Sequence, residues 1–366
     1  MLDPQMARQR QKRLLKILQD NKLDAVVIGA TPHVYYLTAH LPFWQNFAAF
    51  VLLADGRTAL VTANKPDLNA AADTIESYVA SFNSTQRQEQ SELIAGWALK
   101  YLCDKSCKRI GVDSSAVTSM VAVGAEATCQ PIDADLWQLR RVKDADELAL
   151  LKVAIACTDA MYQRAREIIE PGIAELRVFN ELHAAAVDVA GEPLSAHLGN
   201  DYACAEKGGP PRNDRVAQAG ALYILDLGPA YRGYFSDNCR TISVDRKPTD
   251  AQLRAWEVAN GVFPIVEKMA LPGVSCRTIY EAVNDYYQSK LGIPFPHHLG
   301  HGIGLQPHEF PHMNPKWDDT LMEGEVFTIE PGVYAPELRA GLRLENDYLV
   351  TANGVMNLSP FPMELT

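Results

Sequence analysis

The chain contains nine histidines, and five of them fall between His297 and His312 in "FPHHLGHGIGLQPHEFPH". Imidazole binds divalent metals and carries protons near neutral pH. By itself the cluster reads equally as a metal nest, a proton relay or a polar loop. Two further stretches bring carboxylates to the ends of apolar runs. In "YILDLGPAYRGYFSDNCRTI" Asp226 ends one run, Gly228, Pro229 and Gly233 mark a turn, and Asp237 follows 11 residues on. A hairpin symmetric about Tyr231 and Arg232 sets Asp226 opposite Asp237. Like charges facing each other on a sheet repel, so a cation is expected between them. "FTIEPGVYAPELRAGLRLEND" repeats the construction, with Glu330 and Glu345 on either side of a turn centred near Glu337 and Leu338. Four carboxylates on two hairpins, with a histidine cluster, form the ligand set expected for two divalent ions that share bridging carboxylates. Oxygen-rich, sulfur-free ligation favours Mn²⁺, with Co²⁺, Fe²⁺ or Zn²⁺ as alternatives. Each element alone is commonplace, since an Asp in a hairpin is usually a turn residue and Glu-Pro-Gly usually a turn. Their joint occurrence carries the reading.

These residues need elements to hold them. The first third alternates helix and strand patterns. "MARQRQKRLLKILQDNK" has helical spacing, "LDAVVIG" reads as a strand, and "FAAFVLLADGRTALVT" reads as a hairpin about Asp55-Gly56. A helix is expected over residues 86–102 and a strand at "RIGVD". A small α/β domain spanning residues 1–135 follows from this alternation. Residues 136–366 then open with a long helix, N-capped by Asp144 with Glu147 three residues on and closed at Pro171-Gly172. A second helix stops at Gly191. One further helix is expected within 249–271 and another over 275–291, capped by Ser275. Helices in two pairs, each followed by paired strands, point to an internally duplicated α/β (α+β) domain.

Bulk properties exclude several function classes. A net charge of −11, from 34 basic and 45 acidic residues, supplies no basic face for nucleic acid or a membrane surface. No apolar run reaches the length of a bilayer span, and the N-terminal stretch lacks the apolar core of a signal peptide. Seven cysteines without a Cys-x-x-Cys pair suit neither a disulfide framework nor a zinc knuckle. The expectation is a cytoplasmic protein with reduced thiols.

The segments "DLGPAYRGYFSDNCRTI", "HHLGHGIGLQPHE", "TIEPGVY" and "RLEND" resemble the signature segments of the M24 metallopeptidases, the pita-bread enzymes. "LDAVVIGATPHVYYLTAH" resembles the creatinase/prolidase N-terminal domain, and "LRRVKDADELALLKVAI" its junction with the catalytic domain. The similarity covers nearly the whole chain and is nearer the Xaa-Pro dipeptidase (prolidase) and Xaa-Pro aminopeptidase branch. It implies Asp226, Asp237, His301, Glu330 and Glu345 as metal ligands. Asp226 would hold one ion, His301 and Glu330 the other, and Asp237 and Glu345 would bridge them. It further implies hydrolysis of Xaa-Pro bonds by a metal-bridging water or hydroxide whose proton Glu330 takes. His308 would contact the substrate or tetrahedral intermediate, and His297 would line the pocket near the prolyl ring. Tyr334 and Arg343 match substrate-contact positions, with Arg343 orienting a ligand carboxylate. His298 and His312 match no role in the family and are expected to be structural. A homodimer is implied, in which Phe43 and Trp44 either pack in the core or reach a neighbouring subunit's pocket.

One position departs from the family pattern. A histidine usually stands 17 residues before the first ligand Asp, and here that position is Gly209, within "AEKGGPPRNDRVAQAG". Asn213 or Glu206 could supply a polar group there, or the Gly-Pro run could reshape the wall. His197 lies on the approach to the first Asp strand, as pocket wall or filler. Loss of one acid–base group leaves the metal ligands intact, places proton handling more heavily on His308 and His297, and opens two other readings. One is a metal-dependent hydrolase of a non-peptide C–N bond, in the manner of creatinase. The other is a non-catalytic pita-bread binding module. The partner expected is a peptide or small molecule, with no nucleic acid and no membrane.

Overall fold

The computed structural model describes residues 1–196, 201–204, 208–339 and 341–366, and within it the chain forms two compact units, Met1–Arg140 and Arg141–Thr366. His197 and Glu206 lie outside the described residues.

In the first unit, α1 (Pro4–Asp20) leads to β1 (Ala25–Ile28), α2 (Thr31–Thr38), β2 (Ala49–Leu53), β3 (Thr58–Ala63) and β4 (Thr74–Tyr78). A short hairpin, β5 (Ser81–Phe82) and β6 (Thr85–Gln86), precedes α3 (Gln90–Asp104). β7 (Arg109–Val112), α4 (Ala116–Gly124), β8 (Thr128–Pro131) and α5 (Asp133–Arg141) complete it. Six strands form one mixed sheet in the order β4-β3-β2-β1-β7-β8. Gly56 takes a φ of +89° in the expected β2–β3 turn, a conformation open to glycine. Ile94, Ala98 and Leu102 recur every fourth residue on α3, so they share one helix face. That face packs on Val27, Val51 and Val61 of the sheet. Phe43 and Trp44 do not join this core: they are 81% and 76% exposed.

The second unit repeats one plan twice. In its first half, α6 (Ala145–Ile168) and α7 (Glu175–Ala190) are followed by β9 (Tyr202–Ala203), β10 (Leu222–Leu227), a small ribbon of β11 (Ala230–Tyr231) and β12 (Tyr234–Phe235), and β13 (Asn238–Ser243). β10 lies between β13 and β9, antiparallel to both. At the start of α6, Glu147 Oε2 accepts the backbone N–H of Asp144 at 2.8 Å, completing the expected capping box. The helix ends at Ile168, before the Pro171-Gly172 stop.

In the second half come α8 (Asp250–Asn260), α9 (Val262–Met269) and α10 (Cys276–Leu291). The single helix expected within 249–271 is broken at Gly261. A Cβ there would lie 2.1 Å from the Tyr286 hydroxyl, so α10 packs tightly against the break. The strands that follow are β14 (Gly300–Gly302), β15 (Glu309–Met313), β16 (Val326–Ile329), β17 (Gly332–Val333), β18 (Leu342–Arg343), β19 (Asn346–Thr351) and β20 (Gly354–Asn357). Five of them form an antiparallel sheet, β15-β14-β16-β19-β20.

Helix spacing and strand alternation divide each half in the same way. Val178, Leu182 and Ala186 of α7 pack with Tyr223, Leu225 and Leu227 of β10. Ile279, Val283 and Tyr287 of α10 pack with Phe327 and Ile329 of β16 and Tyr348 of β19. Side chains alternate across a strand, so Asp226, Thr328, Glu330, Glu345 and Asp347 all point away from the helices. The carboxylates thus share the non-helical faces of the two sheets.

β14 is fixed by contact with its neighbours. A Cβ at Gly300 would lie 1.9 Å from the Thr328 carbonyl oxygen, and one at Gly302 would lie 1.9 Å from that of Phe310. His301 is therefore the one side chain this strand carries. Gly302→Ala is expected to destabilise the fold by about 3 kcal/mol or more, because backbone must move. Gly96→Ala, on the exposed face of α3 with open space around it, is expected to be neutral or to stabilise by about 1 kcal/mol. Urea unfolding of both variants checks this; an unchanged midpoint for Gly302→Ala would contradict the close approach.

Candidate metal centre

Two hairpins and one short strand deliver the acidic and imidazole groups. In the first hairpin Asp226 pairs with Cys239 and Leu227 with Asn238. The turn is centred on Arg232 and Gly233, whose φ values of +48° and +88° suit a tight hairpin. The expected symmetry about Tyr231 and Arg232 is therefore off by one residue, and Asp237 lies diagonal to Asp226 rather than opposite it. Asp237 precedes Cys239 by two positions, so alternation still puts it on the Asp226 face.

The second hairpin has the expected register. Ile329 pairs with Asn346 and Gly332 with Arg343, so the intervening Glu330 and Glu345 face each other across a turn centred at Glu337 and Leu338. Their backbones are tied to neighbouring strands: Glu330 donates its N–H to Leu299 O at 2.8 Å, and Glu345 to Cys239 O at 2.9 Å. That second bond joins the two hairpins.

Donor atoms of Asp226, Asp237 and Glu345 lie within 4.8 Å of one another, as do those of His301, Glu330 and Glu345, and those of Asp237, His301 and His308. Glu345, Asp237 and His301 each belong to two of these groups, and of the three only the two carboxylates can bridge through separate oxygens. His301 Nε2 lies 3.7 Å from Asp237 Oδ2 and 3.6 Å from Glu330 Oε1. Its Nδ1 faces Gly302 O at 3.1 Å, which leaves Nε2 as the metal-facing nitrogen. Its ring stacks on His308 with centroids 3.6 Å apart.

Burial, then the charges of Asp226 and Glu330, pushes the Asp237 carboxyl well above its usual range. Burial, then Asp237 and Glu330, does the same to Glu345. Glu330 is pushed up to about 8, by burial first and Asp226 second, with Arg343 opposing. Glu330 Oε1 and Glu345 Oε2 accept no hydrogen bond among the described residues. His298 Nδ1 stands 3.3 Å from Glu330 Oε1 without the geometry of a bond. Buried carboxylates with unused oxygens are costly unless a cation or proton meets them. Burial lowers the pKa of His301 to about 3, so it is a neutral ligand at pH 7. These residues fit divalent cations: hard oxygen donors, one neutral imidazole and unsatisfied lone pairs converge on one space.

The cavity at this site encloses about 490 Å³. Among the described residues Arg343 is the only Lys or Arg lining it, and both of its terminal nitrogens are engaged. Its Nη2 donates to Asp201 Oδ2 at 2.7 Å and also to Asp226, and its Nη1 donates to the Tyr334 hydroxyl at 3.2 Å. The Tyr334 hydroxyl is 3.2 Å from His297 Nε2, and His297 Nδ1 is 2.7 Å from His298 O. Both ring nitrogens of His297 are thus engaged. His297 and His308 both line the cavity.

Three residues were not anticipated. Asp201 lines the cavity, and its Oδ1 accepts the N–H of Gly209 at 2.7 Å. Gly209 adopts a φ of +116°, and the wall beside it presents the Asp201 carboxylate. Asn213 is exposed and does not line the cavity. His298, expected to be structural, lines the cavity beside Glu330. His312 is held by Asp319 Oδ2 through its N–H at 2.7 Å and Nδ1 at 2.9 Å. Asp347 is wholly buried behind the site. Burial raises its carboxyl, and the backbone N–H of Asp237 and the Arg240 charge act in the opposite sense. Its spacing of two from Glu345 was a readable signal. Asp201 had none, because only the pairing of β9 with β10 brings it in.

The pattern of metallopeptidase family M24 matches residues 149–352, and that of the creatinase/prolidase N-terminal domain matches residues 10–142. An uncharacterized peptidase of Staphylococcus aureus is 32% identical over 357 residues, covering 93% of this chain and 96% of its own. A Xaa-Pro dipeptidase of Pyrococcus furiosus is 27% identical over 365 residues, covering 98% and 99%. Among solved structures, the prolidase of Pyrococcus horikoshii superposes with a TM-score of 0.80 at 25% identity, covering 98% of this chain and 100% of its own. With this site on this duplicated scaffold, the chain belongs to metallopeptidase family M24, in the form that joins a creatinase/prolidase-type N-terminal domain to a pita-bread catalytic domain.

Proposed function

We propose that the protein is an Xaa-Pro peptidase acting on dipeptides or peptide N-termini, with Asp226, Asp237, His301, Glu330 and Glu345 holding two divalent ions. The observation that carries this is the overlap of donor groups through Asp237 and Glu345, which suits two ions sharing bridging carboxylates. When bound, such ions polarise a peptide carbonyl and bring the pKa of water towards neutrality. Glu330 Oε1, with no hydrogen bond of its own, takes up a proton on the cavity side. Burial lowers the pKa of His308, so at neutral pH it is a neutral imidazole that donates one hydrogen bond to substrate. Arg343 holds Asp226 in place, and Tyr334 and His297 extend that brace along the wall. The names of the prolidase relatives support the proline preference.

Mn²⁺ is the proposed metal. The donors are oxygen-rich, and the donor groups formed by the described residues at this site contain no cysteine. All seven cysteines are free thiols, which supports a reducing, cytoplasmic setting. Among the described residues no helix is long and apolar enough to cross a membrane. A homodimer is proposed because Phe43, Trp44 and Phe47 are exposed together on one loop, an apolar patch of the kind that marks interfaces.

Purified protein is expected to carry two metal equivalents by elemental analysis, and Asp237→Ala to lose both. One tightly retained ion would refute the bridging role of Asp237. The metal-free protein should also report its buried carboxylates. A carboxyl whose pKa is raised in the fold stabilises it below the unfolded pKa, and that stability is lost as pH rises through the folded value. With Glu330 at about 8, the chelated protein is expected to melt progressively lower from about pH 5 to pH 8. Metal-loaded protein should show no such fall, and equal melting of chelated protein at both ends would contradict the picture.

Gly209 in place of the usual imidazole, with the Asp201 carboxylate beside it, favours, as a second reading, a metal-dependent hydrolase of a non-peptide C–N bond. Mn²⁺-loaded enzyme assayed on Xaa-Pro dipeptides and on longer Xaa-Pro peptides separates the two. Cleavage of either class supports the peptidase reading; cleavage of neither by protein holding two metals overturns it.

A further inference from the structure

Residues 303–308 join β14 to β15, and Gln306, Pro307 and His308 are exposed on this turn. Exposed turns are ordinarily the mobile parts of a fold, yet the His308 ring lies stacked on His301 with an interplanar angle of 16°. The hold on it comes from beneath. Glu309 follows His308 in the chain, and its Oε1 accepts the N–H of Gln306 at 3.0 Å, which closes the turn. Its Oε2 lies 3.4 Å from Lys143 Nζ, and both side chains are buried. Lys143 is itself anchored, donating its backbone N–H to Gly324 O at 2.9 Å and its Nζ to Arg141 O at 3.3 Å. A Cβ at Gly304 would lie 2.8 Å from Glu309 Oε2 and 3.0 Å from Lys143 Cε, so the ion pair packs directly under the turn backbone.

Lys143 stands just before α6 and is not among the described lining residues of the metal-centre cavity. A buried ion pair is a poor source of stability, because an apolar pair of similar volume often does as well. The effect of this one is geometric, since it fixes the carboxylate that closes the His308 turn. We propose that Lys143 is a positioning residue for the reaction, acting through Glu309 to keep the His308 imidazole stacked on His301 at the cavity wall. The assignment rests on the reading of His308 as a hydrogen-bond donor to substrate. An imidazole ordered before substrate arrives need not be ordered on binding, and a small misplacement of such a group costs rate steeply.

Lys143→Met alone strands a buried carboxylate and is expected to cost stability. The test therefore uses the double variant Lys143→Met/Glu309→Gln, which removes both charges and keeps an acceptor for the Gln306 N–H. Should it fail to fold, Glu309→Gln alone is read in the same way, because a buried lysine can shed its proton. With Mn²⁺-loaded enzyme on Ala-Pro, the double variant is expected to lose about tenfold or more in kcat/KM. In a His308→Ala background the same two substitutions should cost less than about twofold, since the imidazole they position is gone. An equal loss in both backgrounds, or no loss in the presence of His308, overturns the proposal. The second readout is NMR of Zn²⁺-loaded protein with ¹³C-labelled histidine. The His308 ring signal, identified by its disappearance in His308→Ala, is expected to be displaced by the stacked His301 ring and to lose that displacement in the double variant. If wild-type protein cleaves no dipeptide, the peptidase reading fails separately and NMR decides alone. A His308 signal that moves in the double variant sustains the positioning role, and one that stays in place overturns it.

Discussion

Mutual repulsion among buried carboxylates is the constraint on which the catalytic unit depends. Asp226, Asp237, Glu330 and Glu345 converge on one space, and the only Lys or Arg among its described lining residues, Arg343, is already shared between Asp226 and Asp201. A fold that brings four acids together needs positive charge or protons to exist at neutral pH. Divalent cations would satisfy that need and supply the electrophile, so the stability of this region and its chemistry would rest on the same interaction.

The duplicated plan explains how the chain tolerates such a centre. Each half buries one face of its sheet under amphipathic helices, through four-residue repeats such as Ile279, Val283 and Tyr287. The apolar burial that stabilises the halves is thus kept apart from the polar faces that carry the ligands. Strand alternation makes the separation automatic: Phe327 and Ile329 face helices while Thr328 and Glu330 do not. Gly300 and Gly302 then let β14 approach its neighbours closely enough to insert His301 between the carboxylates.

Much of this was legible in the sequence because the signals were local. The capping box at Asp144 and Glu147, the Asp55-Gly56 turn and the register of the Glu330–Glu345 hairpin each depend on residues a few positions apart. The errors mark where local reading stops. The first hairpin turns at Arg232 and Gly233, one residue on from its apparent centre, because the backbone there takes positive φ at both positions. The helix expected within 249–271 breaks at Gly261, where Tyr286 from a later helix approaches too closely for any larger residue. Asp201 enters the site only through the pairing of β9 with β10, and no spacing rule connects it to Arg343. His298 has the sequence surroundings of a loop residue and is brought to Glu330 only by the fold.

The central claim is that two cations occupy the space between these hairpins, bridged by Asp237 and Glu345. Anomalous diffraction at the manganese edge from crystals of Mn²⁺-loaded protein addresses it most directly. The account predicts two peaks, one beside Asp226 and one beside His301 and Glu330, with Asp237 and Glu345 in contact with both. A single peak, or two peaks with no shared carboxylate, would contradict it.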